Sequence, residues 1–309
     1  MRIVFLDAAT LGDTPLDEIA ALGELVAWPS SSPEEALERV GDCEVLIVNK
    51  VRVTEALLAR APRLKLVCEA ATGVNNIELE ACAARGIPVR NAAGYSTDAV
   101  VQSTFAHLLS LAGYSPYFDD CVKSGRYSAG TLFCDISHPY TELFGKTLGI
   151  VGMGAIGTKV AAVATAFGMR VIYYSTSGTS HNRDYPSVPL EVLLQESDAV
   201  SIHAPLNART AGLIGGAEME KMKPTAFLLN LGRGGIVDEA ALAQAVDAGT
   251  IAGAALDVYV SEPLPADSPL LRVRHPERFR FTPHIAWASR EALGRLVHQV
   301  ADNIRAGWE

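Results

Sequence analysis

Three polar side chains in the last third of the chain could together perform acid–base chemistry. Arg233 lies in the segment NLGRGG, Glu262 precedes a proline, and His284 lies in the segment TPHIAW. A histidine with a carboxylate partner can give and take a proton near neutral pH, and a guanidinium can bind a carboxylate through two hydrogen bonds. Taken singly, each could be an ordinary loop residue. Together they predict a site that binds an anion and transfers a proton.

These three residues follow apolar segments that have the pattern of buried strands. The predicted strands are Ala226–Asn230, Ala252–Asp257 and Arg280–Thr282. The carboxyl ends of parallel strands face the ligand crevice of a doubly wound sheet. We therefore expect Arg233, Glu262 and His284 to lie at one edge of a single sheet.

A glycine-rich segment, Gly152-Met-Gly154-Ala-Ile-Gly157, predicts dinucleotide binding. It follows a predicted strand at Thr147–Val151 and opens a predicted helix at Thr158–Phe167. The first glycine allows a tight turn, the second lets the backbone approach a pyrophosphate, and the third lets helix and strand pack closely. The helix N-terminus then offers N–H groups and a partial positive charge to the phosphates. A close-packed glycine turn without a ligand is the alternative interpretation.

The acid that usually marks an NAD site is missing. Such a site carries Asp or Glu about 20 residues past the glycine segment, where it binds the ribose 2′-hydroxyl. Here the strand predicted at Arg170–Ser175 is followed by Thr-Ser, and the Ser175 hydroxyl could bind either a ribose or a 2′-phosphate. Arg183 or His181 could approach such a phosphate. NAD is the expected cofactor, and NADP is possible because Ser175 replaces the acid.

Strands and helices alternate along the chain in two series, which predicts an α/β fold with parallel sheets. Continuous apolar strands indicate burial on both faces. The first series has five predicted strands, at Ile3–Asp7, Leu25–Trp28, Glu44–Asn49, Leu64–Cys68 and Pro88–Asn91. The second has six, the five already named and Ala199–His203. Six strands make a full dinucleotide-binding sheet.

Two long helical segments lie outside this alternation. One helix is predicted over Thr97–Lys123 and is followed by an irregular polar stretch, Ser124–Glu142. Another is predicted over Ser289–Ala306, because apolar residues recur there at the three- and four-residue spacing of an amphipathic helix. This final helix could pack on either series.

Composition limits the functions that remain. The chain has 309 residues, a formal net charge of −9 and 49% hydrophobic residues, which suits a folded protein of two domains. The negative charge argues against a nucleic-acid binder. The 5 cysteines have no CxxC spacing, so neither disulfides nor a metal site is expected. No apolar run suits a membrane span or a signal peptide, and a cytoplasmic protein is expected.

Six segments together resemble the D-isomer-specific 2-hydroxyacid dehydrogenase family, closest to its bacterial glycerate dehydrogenase and hydroxypyruvate reductase branch. They are ATGVNNIELEACAARGIPVRNAAGYSTDAV, LGIVGMGAIGTKVA, SIHAPLNART, LLNLGRGGIVDEAAL, AALDVYVSEP and TPHIAWAS. The resemblance covers nearly the whole chain, and several motifs in one order are far more specific than the glycine segment alone.

The resemblance implies a role for each of the three polar residues. Arg233 should bind the substrate carboxylate and polarise the keto group, His284 should protonate the carbonyl oxygen, and Glu262 should orient His284 and keep it basic. The implied reaction transfers a hydride between NAD(P)H and a small 2-keto acid or D-2-hydroxy acid. Hydroxypyruvate or glyoxylate would give D-glycerate or glycolate.

The resemblance also implies two sets of binding residues. The cofactor should contact Gly152, Gly154, Ala155, Ile156, Gly157, Ser175, Thr176, His203, Ala204, Pro205, Thr210, Asn230, Leu231, Gly232, Asp257 and His284. The substrate should contact Lys50, Thr72, Gly73, Val74, Asn75, Tyr95, Arg233 and Trp287. Within these sets, Asp257 should meet the nicotinamide end of the cofactor and Trp287 should close the substrate cleft.

By the same resemblance, a Rossmann cofactor domain, residues 99–284, is inserted into a flavodoxin-like substrate domain, residues 1–98 plus 285–309. The final helix then returns to the substrate domain. The Thr97–Lys123 helix and the loop after it should build a homodimer interface.

The sequence departs from the family pattern at Asn75, Gln102 and Ser175. Only Ser175 bears on the chemistry, because it weakens the case for strict NAD specificity. The chain also stops soon after its final helix, so the regulatory extension of phosphoglycerate dehydrogenases is not expected.

Two alternatives remain open. Phosphite and formate dehydrogenases resemble this family, but formate dehydrogenases carry Gln where Glu262 stands. A cofactor-sensing, corepressor-like binding protein would use the same dinucleotide fold with catalysis secondary. The complete set of Arg233, Glu262 and His284 argues against it. The expected partners are a small-molecule 2-keto acid and a second copy of the chain, with no nucleic acid and no membrane.

Overall fold

The computed structural model of the protein describes residues 1–179 and 182–308. The chain forms two compact units, a smaller one from Met1–Ser96 with Ala288–Glu309 and a larger one from Thr97–Trp287. Within the described parts of the chain, no helix is both long and apolar enough to cross a lipid bilayer.

The boundaries between the units differ from the expected positions, 98/99 and 284/285, by a few residues. Thr97 begins a helix of the larger unit, so Thr97 and Asp98 belong to that unit. Residues 285–287 also belong to the larger unit. There the Asp257 carboxylate accepts hydrogen bonds from the backbone N–H groups of residues 285 and 286, which holds this segment to the larger sheet. Trp287 is therefore part of the larger unit and not of the smaller one.

The smaller unit contains a five-stranded parallel sheet with the strand order β2-β1-β3-β4-β5. Its strands are β1 (Arg2–Phe5), β2 (Glu24–Ala27), β3 (Val45–Val48), β4 (Leu66–Glu69) and β5 (Val89–Asn91). The order reverses between β1 and β3, which is the flavodoxin-like arrangement. The predicted flavodoxin-like sheet is confirmed.

The helices of this sheet begin at capping residues that the sequence supplies. They are α1 (Asp17–Ala20), α2 (Pro33–Arg39), α3 (Glu55–Arg60) and α4 (Leu79–Ala84). Ser32 and Glu35 form a capping box at the start of α2, and Thr54 accepts a hydrogen bond from the Leu57 N–H at the start of α3. The helices cover the sheet, so the central strands β3 and β4 are wholly buried.

The larger unit contains a six-stranded parallel sheet with the strand order β11-β10-β9-β8-β6-β7. Its strands are β6 (Thr147–Val151), β7 (Arg170–Tyr174), β8 (Ala199–Ile202), β9 (Phe227–Asn230), β10 (Gly253–Leu256) and β11 (Phe279–Phe281). A parallel bridge between Tyr173 and Ser187 extends the sheet beyond β7. With this bridge as a rudimentary third strand, the order is that of a dinucleotide-binding sheet. The predicted Rossmann fold is confirmed.

The helices of the larger unit correct two predicted boundaries. They are α5 (Thr97–Ala112), α6 (Ser115–Lys123), α7 (Ala155–Ala166), α8 (Leu190–Glu196), α9 (Gly216–Met219) and α10 (Glu239–Ala248). The prediction of one helix over Thr97–Lys123 is wrong, because Tyr114 adopts a left-handed conformation with φ of 49° and Pro116 lies in the first turn of a new helix. Helix α7 begins at Ala155 rather than Thr158, directly after the cap residue Gly154.

The final helix, α11 (Arg290–Arg305), packs on the smaller unit. Its apolar face is buried. Arg295 Nε donates to the Tyr95 carbonyl at 2.9 Å, and Asn303 Nδ2 donates to the Asn91 carbonyl at 3.0 Å. The question that the sequence left open is thereby settled.

Candidate active site

The loops that follow β9, β10 and β11 carry the three polar residues selected from the sequence. These strands are neighbours and run parallel, so their carboxyl ends lie along one edge of the sheet. Arg233 follows β9, Glu262 follows β10 and His284 follows β11. The predicted clustering of chemistry at one sheet edge is therefore found in the larger unit.

Glu262 and His284 form a direct hydrogen bond. His284 Nδ1 lies 2.6 Å from Glu262 Oε2, and the two side chains are 20% and 31% exposed. The other carboxylate oxygen, Oε1, accepts from the backbone N–H of Tyr259 at 3.0 Å. An ionised carboxylate only accepts hydrogen bonds, so Nδ1 carries a hydrogen and Nε2 is the atom that can exchange a proton.

The backbone around His284 is held in an uncommon conformation. His284 has φ of 55°, a value that non-glycine residues seldom adopt. Its N–H donates to the Thr282 carbonyl at 3.0 Å, and its carbonyl accepts from Trp287 Nε1 at 2.8 Å. The surrounding bonds therefore fix where the imidazole points. They also give the Trp287 indole a structural role in the same loop.

Asp257 holds the loop that carries His284 through three hydrogen bonds. Its oxygens accept from the N–H groups of Ile285 and Ala286, each at 2.9 Å, and from Thr282 Oγ1 at 2.6 Å. Asp257 is only 1% exposed. The contact with the nicotinamide end of a cofactor that the resemblance implies stays a prediction. What the structure gives Asp257 is the support of the segment that carries His284.

His107 extends these hydrogen bonds to helix α5. His107 Nε2 lies 3.1 Å from Thr282 Oγ1, which itself donates to Asp257. Burial lowers the pKa of His107 below its ordinary value, although the Asp257 charge acts in the opposite direction. Neither His107 nor Thr282 could be selected from the sequence, because nothing in the local pattern links them to Asp257.

The Arg233 loop is held by a side chain from the end of its own strand. Asn230 is 1% exposed, and it donates to the Arg233 carbonyl at 2.9 Å and accepts from the Gly232 N–H at 3.1 Å. The Arg233 guanidinium is half-buried and donates to the Gly232 carbonyl at 2.9 Å. Leu231 is buried beneath the loop. Asn230 thus shapes the turn that presents Arg233.

Gly234 brings the Arg233 loop against the Glu262 loop. A Cβ atom at position 234 would collide with the Tyr259 carbonyl, and it would lie 2.7 Å from the Val260 N atom. Only glycine permits this approach of two backbones. The second glycine of the NLGRGG segment was the available sequence signal, but the partner loop could not be inferred from it.

The glycine segment after β6 has the geometry that a dinucleotide requires. Gly152 has φ of 94°, and a Cβ there would lie 2.9 Å from the Ala204 N atom. A Cβ at Gly157 would collide with the Gly152 carbonyl, whereas nothing lies within 4 Å of a Cβ at Gly154. Open space at the middle glycine, directly before the α7 N-terminus at Ala155, fits the approach of a pyrophosphate.

The neighbouring strand ends complete the predicted cofactor set. Ile156 packs in the first turn of α7, and Ser175 and Thr176 follow β7. His203, Ala204, Pro205 and Thr210 follow β8. Of the two residues that could approach a 2′-phosphate, His181 lies outside the described residues and Arg183 is exposed.

His203 carries a buried polar atom without a partner. Its Nε2 lies 2.8 Å from Ser201 Oγ, while Nδ1 is shielded from solvent and has no hydrogen-bond partner among the described residues. Burial lowers the pKa of His203 to about 4, so the ring is neutral at pH 7. An unpartnered buried nitrogen at this edge fits a cofactor that would form a hydrogen bond there.

The remaining predicted substrate contacts lie in the smaller unit, after two neighbouring strands. Lys50 follows β3, and residues 72–75 follow β4. Asn76 ties the two loops together, because its Nδ2 donates to Glu69 Oε2 at 2.9 Å and to the Val51 carbonyl at 3.1 Å.

These contacts differ in how accessible they are. Lys50 lines a cavity of about 860 Å³ in the smaller unit, together with Asp7 and Arg52, whereas residues 72–75 and Tyr95 do not. Tyr95 is only 6% exposed. Lys50 is therefore better placed than Tyr95 to meet a small molecule.

Sequence comparison decides the family. The chain matches the family described as D-isomer specific 2-hydroxyacid dehydrogenase, NAD binding domain, over residues 105–286. The protein belongs to the D-isomer-specific 2-hydroxyacid dehydrogenase family.

Relatives within this 2-hydroxyacid dehydrogenase family match nearly the whole chain. A glycerate dehydrogenase from Methylorubrum extorquens is 36% identical over 99% of this chain and 95% of its own length. A glyoxylate reductase from Aeropyrum pernix is 42% identical over 94% of this chain and 88% of its own. The structure of an NADPH-dependent glyoxylate/hydroxypyruvate reductase from Sinorhizobium meliloti, in complex with NADP and malonate, superposes with a TM-score of 0.84, at 27% identity, over 99% of this chain and 92% of that one.

The family, the fold and these relatives make this 2-hydroxyacid dehydrogenase an NAD(P)-dependent oxidoreductase. Such an enzyme exchanges a hydride between a nicotinamide cofactor and a 2-keto acid or 2-hydroxy acid. The expectation of this reaction class is confirmed. The corepressor-like and phosphite-type alternatives are not favoured, because the relatives are reductases and dehydrogenases of 2-hydroxy acids.

Proposed function

We propose that the protein reduces a small 2-keto acid, hydroxypyruvate or glyoxylate, to D-glycerate or glycolate, with Arg233, Glu262 and His284 as its catalytic residues. The hydrogen bond between Glu262 and His284 carries the proposal, because it stands at the carboxyl edge of a dinucleotide-binding sheet beside the Arg233 loop. The activities for which these relatives are named, glycerate dehydrogenase and glyoxylate reductase, support the substrate class.

In this proposal each residue acts on a defined part of the substrate. A bound nicotinamide cofactor supplies the hydride. Arg233 binds the carboxylate and stabilises negative charge that develops on the keto oxygen. His284 donates the Nε2 proton to that oxygen, and Glu262 stabilises the imidazolium through Nδ1. Residues 72–75 would contribute the remaining hydrogen bonds to the carboxylate.

The proposed cofactor site uses the carboxyl ends of four strands, β6, β7, β8 and β9. Gly152, Gly154 and Gly157, with the start of α7, would hold the pyrophosphate. His203–Pro205, Thr210 and Asn230–Gly232 would line the ribose and nicotinamide. Ser175 and Thr176 would meet the adenosine ribose. Because Ser175 can serve a 2′-hydroxyl or a 2′-phosphate, this part of the proposal admits both NAD and NADP.

The decisive experiment is a spectrophotometric assay of NADH and NADPH oxidation. Hydroxypyruvate, glyoxylate and pyruvate are offered separately, and phosphite is offered with the oxidised cofactors. We expect turnover with hydroxypyruvate or glyoxylate. Binding of a nicotinamide cofactor without turnover of any keto acid would overturn the proposed catalysis and favour a sensing protein. Turnover with phosphite alone would replace the substrate class.

We also propose a homodimer. The stretch that follows α6 exposes six large apolar side chains, which is unusual for the free surface of a monomer. They are Tyr127, Leu132, Phe133, Ile136, Tyr140 and Phe144. Phe133 is the most exposed, at 90%. A second copy of the chain is the partner that the family resemblance implies for this stretch.

A cytoplasmic location belongs to the same proposal. The five cysteines are free thiols, and four of them are buried. Free thiols suit a reducing compartment.

A further inference from the structure

The turn that follows β7 is built from hydroxyl groups. Ser175 Oγ donates to the Thr179 carbonyl at 2.7 Å and lies 3.2 Å from Ser177 Oγ, which bonds the same carbonyl at 3.0 Å. Residues 175–179 have the sequence STSGT and include no carboxylate. In a dinucleotide fold, the end of the second strand meets the adenosine ribose at its 2′ position. This turn therefore brings two hydroxyl groups to that position, which would exchange the Thr179 carbonyl for a phosphate oxygen as acceptor, and it carries no charge that would repel a phosphate.

An arginine from a different strand end reaches the same turn. Arg209 lies in the loop after β8, and its Nη1 donates to the Ser177 carbonyl at 2.6 Å. The same nitrogen would lie 3.3 Å from a Cβ at Gly178. In the sheet, β6 lies between β7 and β8. The Arg209 side chain therefore passes the carboxyl end of β6, where the glycine segment begins, to reach the turn after β7.

The Arg209 backbone is fixed by its own loop. Its N–H donates to Asn207 Oδ1 at 2.8 Å, and the fully buried Thr210 closes the loop by donating to the Pro205 carbonyl at 2.6 Å. Among the described residues Arg209 forms no ion pair with a carboxylate. A guanidinium has five N–H donors in a rigid fork that matches phosphate oxygens, and the bond to Ser177 occupies only part of it.

We infer that Arg209, together with Ser175 and Ser177, binds the 2′-phosphate of NADP(H) and makes it the preferred cofactor of this protein. The inference rests on the proposed dinucleotide site and adds which of the two dinucleotides that site prefers. Arg209 is a specificity-determining residue here, and it takes no part in the proton or hydride transfer. Arg209 has an observed contact with this turn, whereas Arg183 has none that the described residues record.

Equilibrium binding tests this without relying on turnover. NADPH and NADH are titrated by fluorescence, and adenosine 2′,5′-bisphosphate and 5′-AMP are titrated by calorimetry as fragments that differ in the 2′-phosphate. We expect the wild-type protein to bind NADPH and the bisphosphate at least tenfold more tightly than NADH and AMP. Arg209→Ala should remove that advantage while changing NADH affinity by less than about twofold. Arg209→Lys should retain part of it, because the charge remains and the fork is lost.

Arg170→Ala is the matched control, since Arg170 lies at the opposite end of β7 and pairs with the Glu196 carboxylate. It should alter neither affinity. Tighter binding of NADH than NADPH by the wild-type protein, or an Arg209→Ala variant with full NADPH affinity, would overturn the inference while leaving the proposed reductase intact. Failure of the wild-type protein to bind either dinucleotide would overturn the proposed function as well. Retained NADH binding by Arg209→Ala shows that the variant is folded.

Discussion

The hydrogen bond between Glu262 and His284 determines which imidazole nitrogen can react. Because Nδ1 faces the carboxylate at 2.6 Å, only Nε2 remains to exchange a proton with a substrate. His284→Ala should lower kcat for keto-acid reduction about 100-fold or more, with cofactor affinity nearly unchanged. Steady-state kinetics and a fluorescence titration of the cofactor measure the two effects. His298→Ala, at an exposed histidine paired with Glu18, is the control. Near-normal kcat in His284→Ala would contradict the assigned role.

Glu262 presents a negative charge to Nδ1 of His284. In Glu262→Gln the amide oxygen can still accept the hydrogen bond, but the variant lacks the negative charge that stabilises an imidazolium. Reduction needs the protonated ring, so the pH range of keto-acid reduction should move to lower pH in the variant. The measurement is kcat/KM against pH for both proteins. An unchanged profile would remove Glu262 from proton transfer and leave it as a structural residue.

At the scale of elements, the contact between the Arg233 loop and the Glu262 loop depends on Gly234. Gly234→Ala should push the loops apart, because the added Cβ would meet the Tyr259 carbonyl. We expect a loss of roughly 1 to 3 kcal/mol in stability, and a larger relative loss in kcat/KM than in cofactor affinity. Gly294→Ala provides the contrast, since nothing lies within 4 Å of a Cβ at this helical position. It should stabilise α11 by about 1 kcal/mol. Equal thermal shifts in both variants would refute the steric account.

The carboxyl end of β4 carries a buried acid whose titration opposes folding. Glu69 is fully buried, and its Oε1 has no hydrogen-bond partner among the described residues. Burial raises the pKa of Glu69 to about 8, assisted by the Asp7 charge, while the Asn76 hydrogen bond and Lys50 act in the opposite direction. In the unfolded chain the group ionises near its ordinary value of 4.5. The folded chain binds this proton more tightly than the unfolded chain does. The stabilisation that results is therefore complete below pH 4.5 and is lost as the pH rises towards 8.

Glu69→Gln should remove this pH dependence, because the amide stays neutral at every pH. Between pH 5 and pH 8.5, the stability of the variant relative to the wild-type protein should rise, by an amount on the order of a few kcal/mol. Urea midpoints at the two pH values provide the measurement. Glu24→Gln, at an exposed position of β2, is the control. If the difference in stability between the wild-type protein and Glu69→Gln did not change with pH, Glu69 would not titrate in this range.

At the scale of the whole molecule, the apolar stretch after α6 bears on assembly. If this stretch lies in a dimer interface, a charge in its centre should dissociate the dimer. Phe133→Asp combined with Ile136→Asp should convert a dimer into a monomer by analytical ultracentrifugation at micromolar concentration. Leu271→Asp, at another exposed apolar position of the larger unit, should leave the dimer intact. A monomeric wild-type protein at the same concentration would contradict the proposed homodimer.

Much of this protein follows from local sequence patterns. Continuous apolar segments predict strands that are buried on both faces, and the glycine segment predicts the turn between β6 and α7, because both depend on residues that are close together in the chain. The placement of Arg233, Glu262 and His284 after successive strands predicts their common edge, because parallel strands end on the same side of a sheet. The break of the predicted long helix at Tyr114 could have been suspected from Gly113 and Pro116, which are local signals too.

Tertiary structure alone decided which of these residues meet. Glu262 and His284 are 22 positions apart, and Arg209 reaches the Ser177 carbonyl across 32 positions. Asp257 also binds backbone groups of a loop that follows a different strand. Such contacts depend on the order in which strands pair and on the paths of the loops between them, and no local pattern encodes either. The sequence therefore determined the chemistry that is available, whereas the packing of the strand ends determined which groups orient His284 and which arginine reaches the turn after β7.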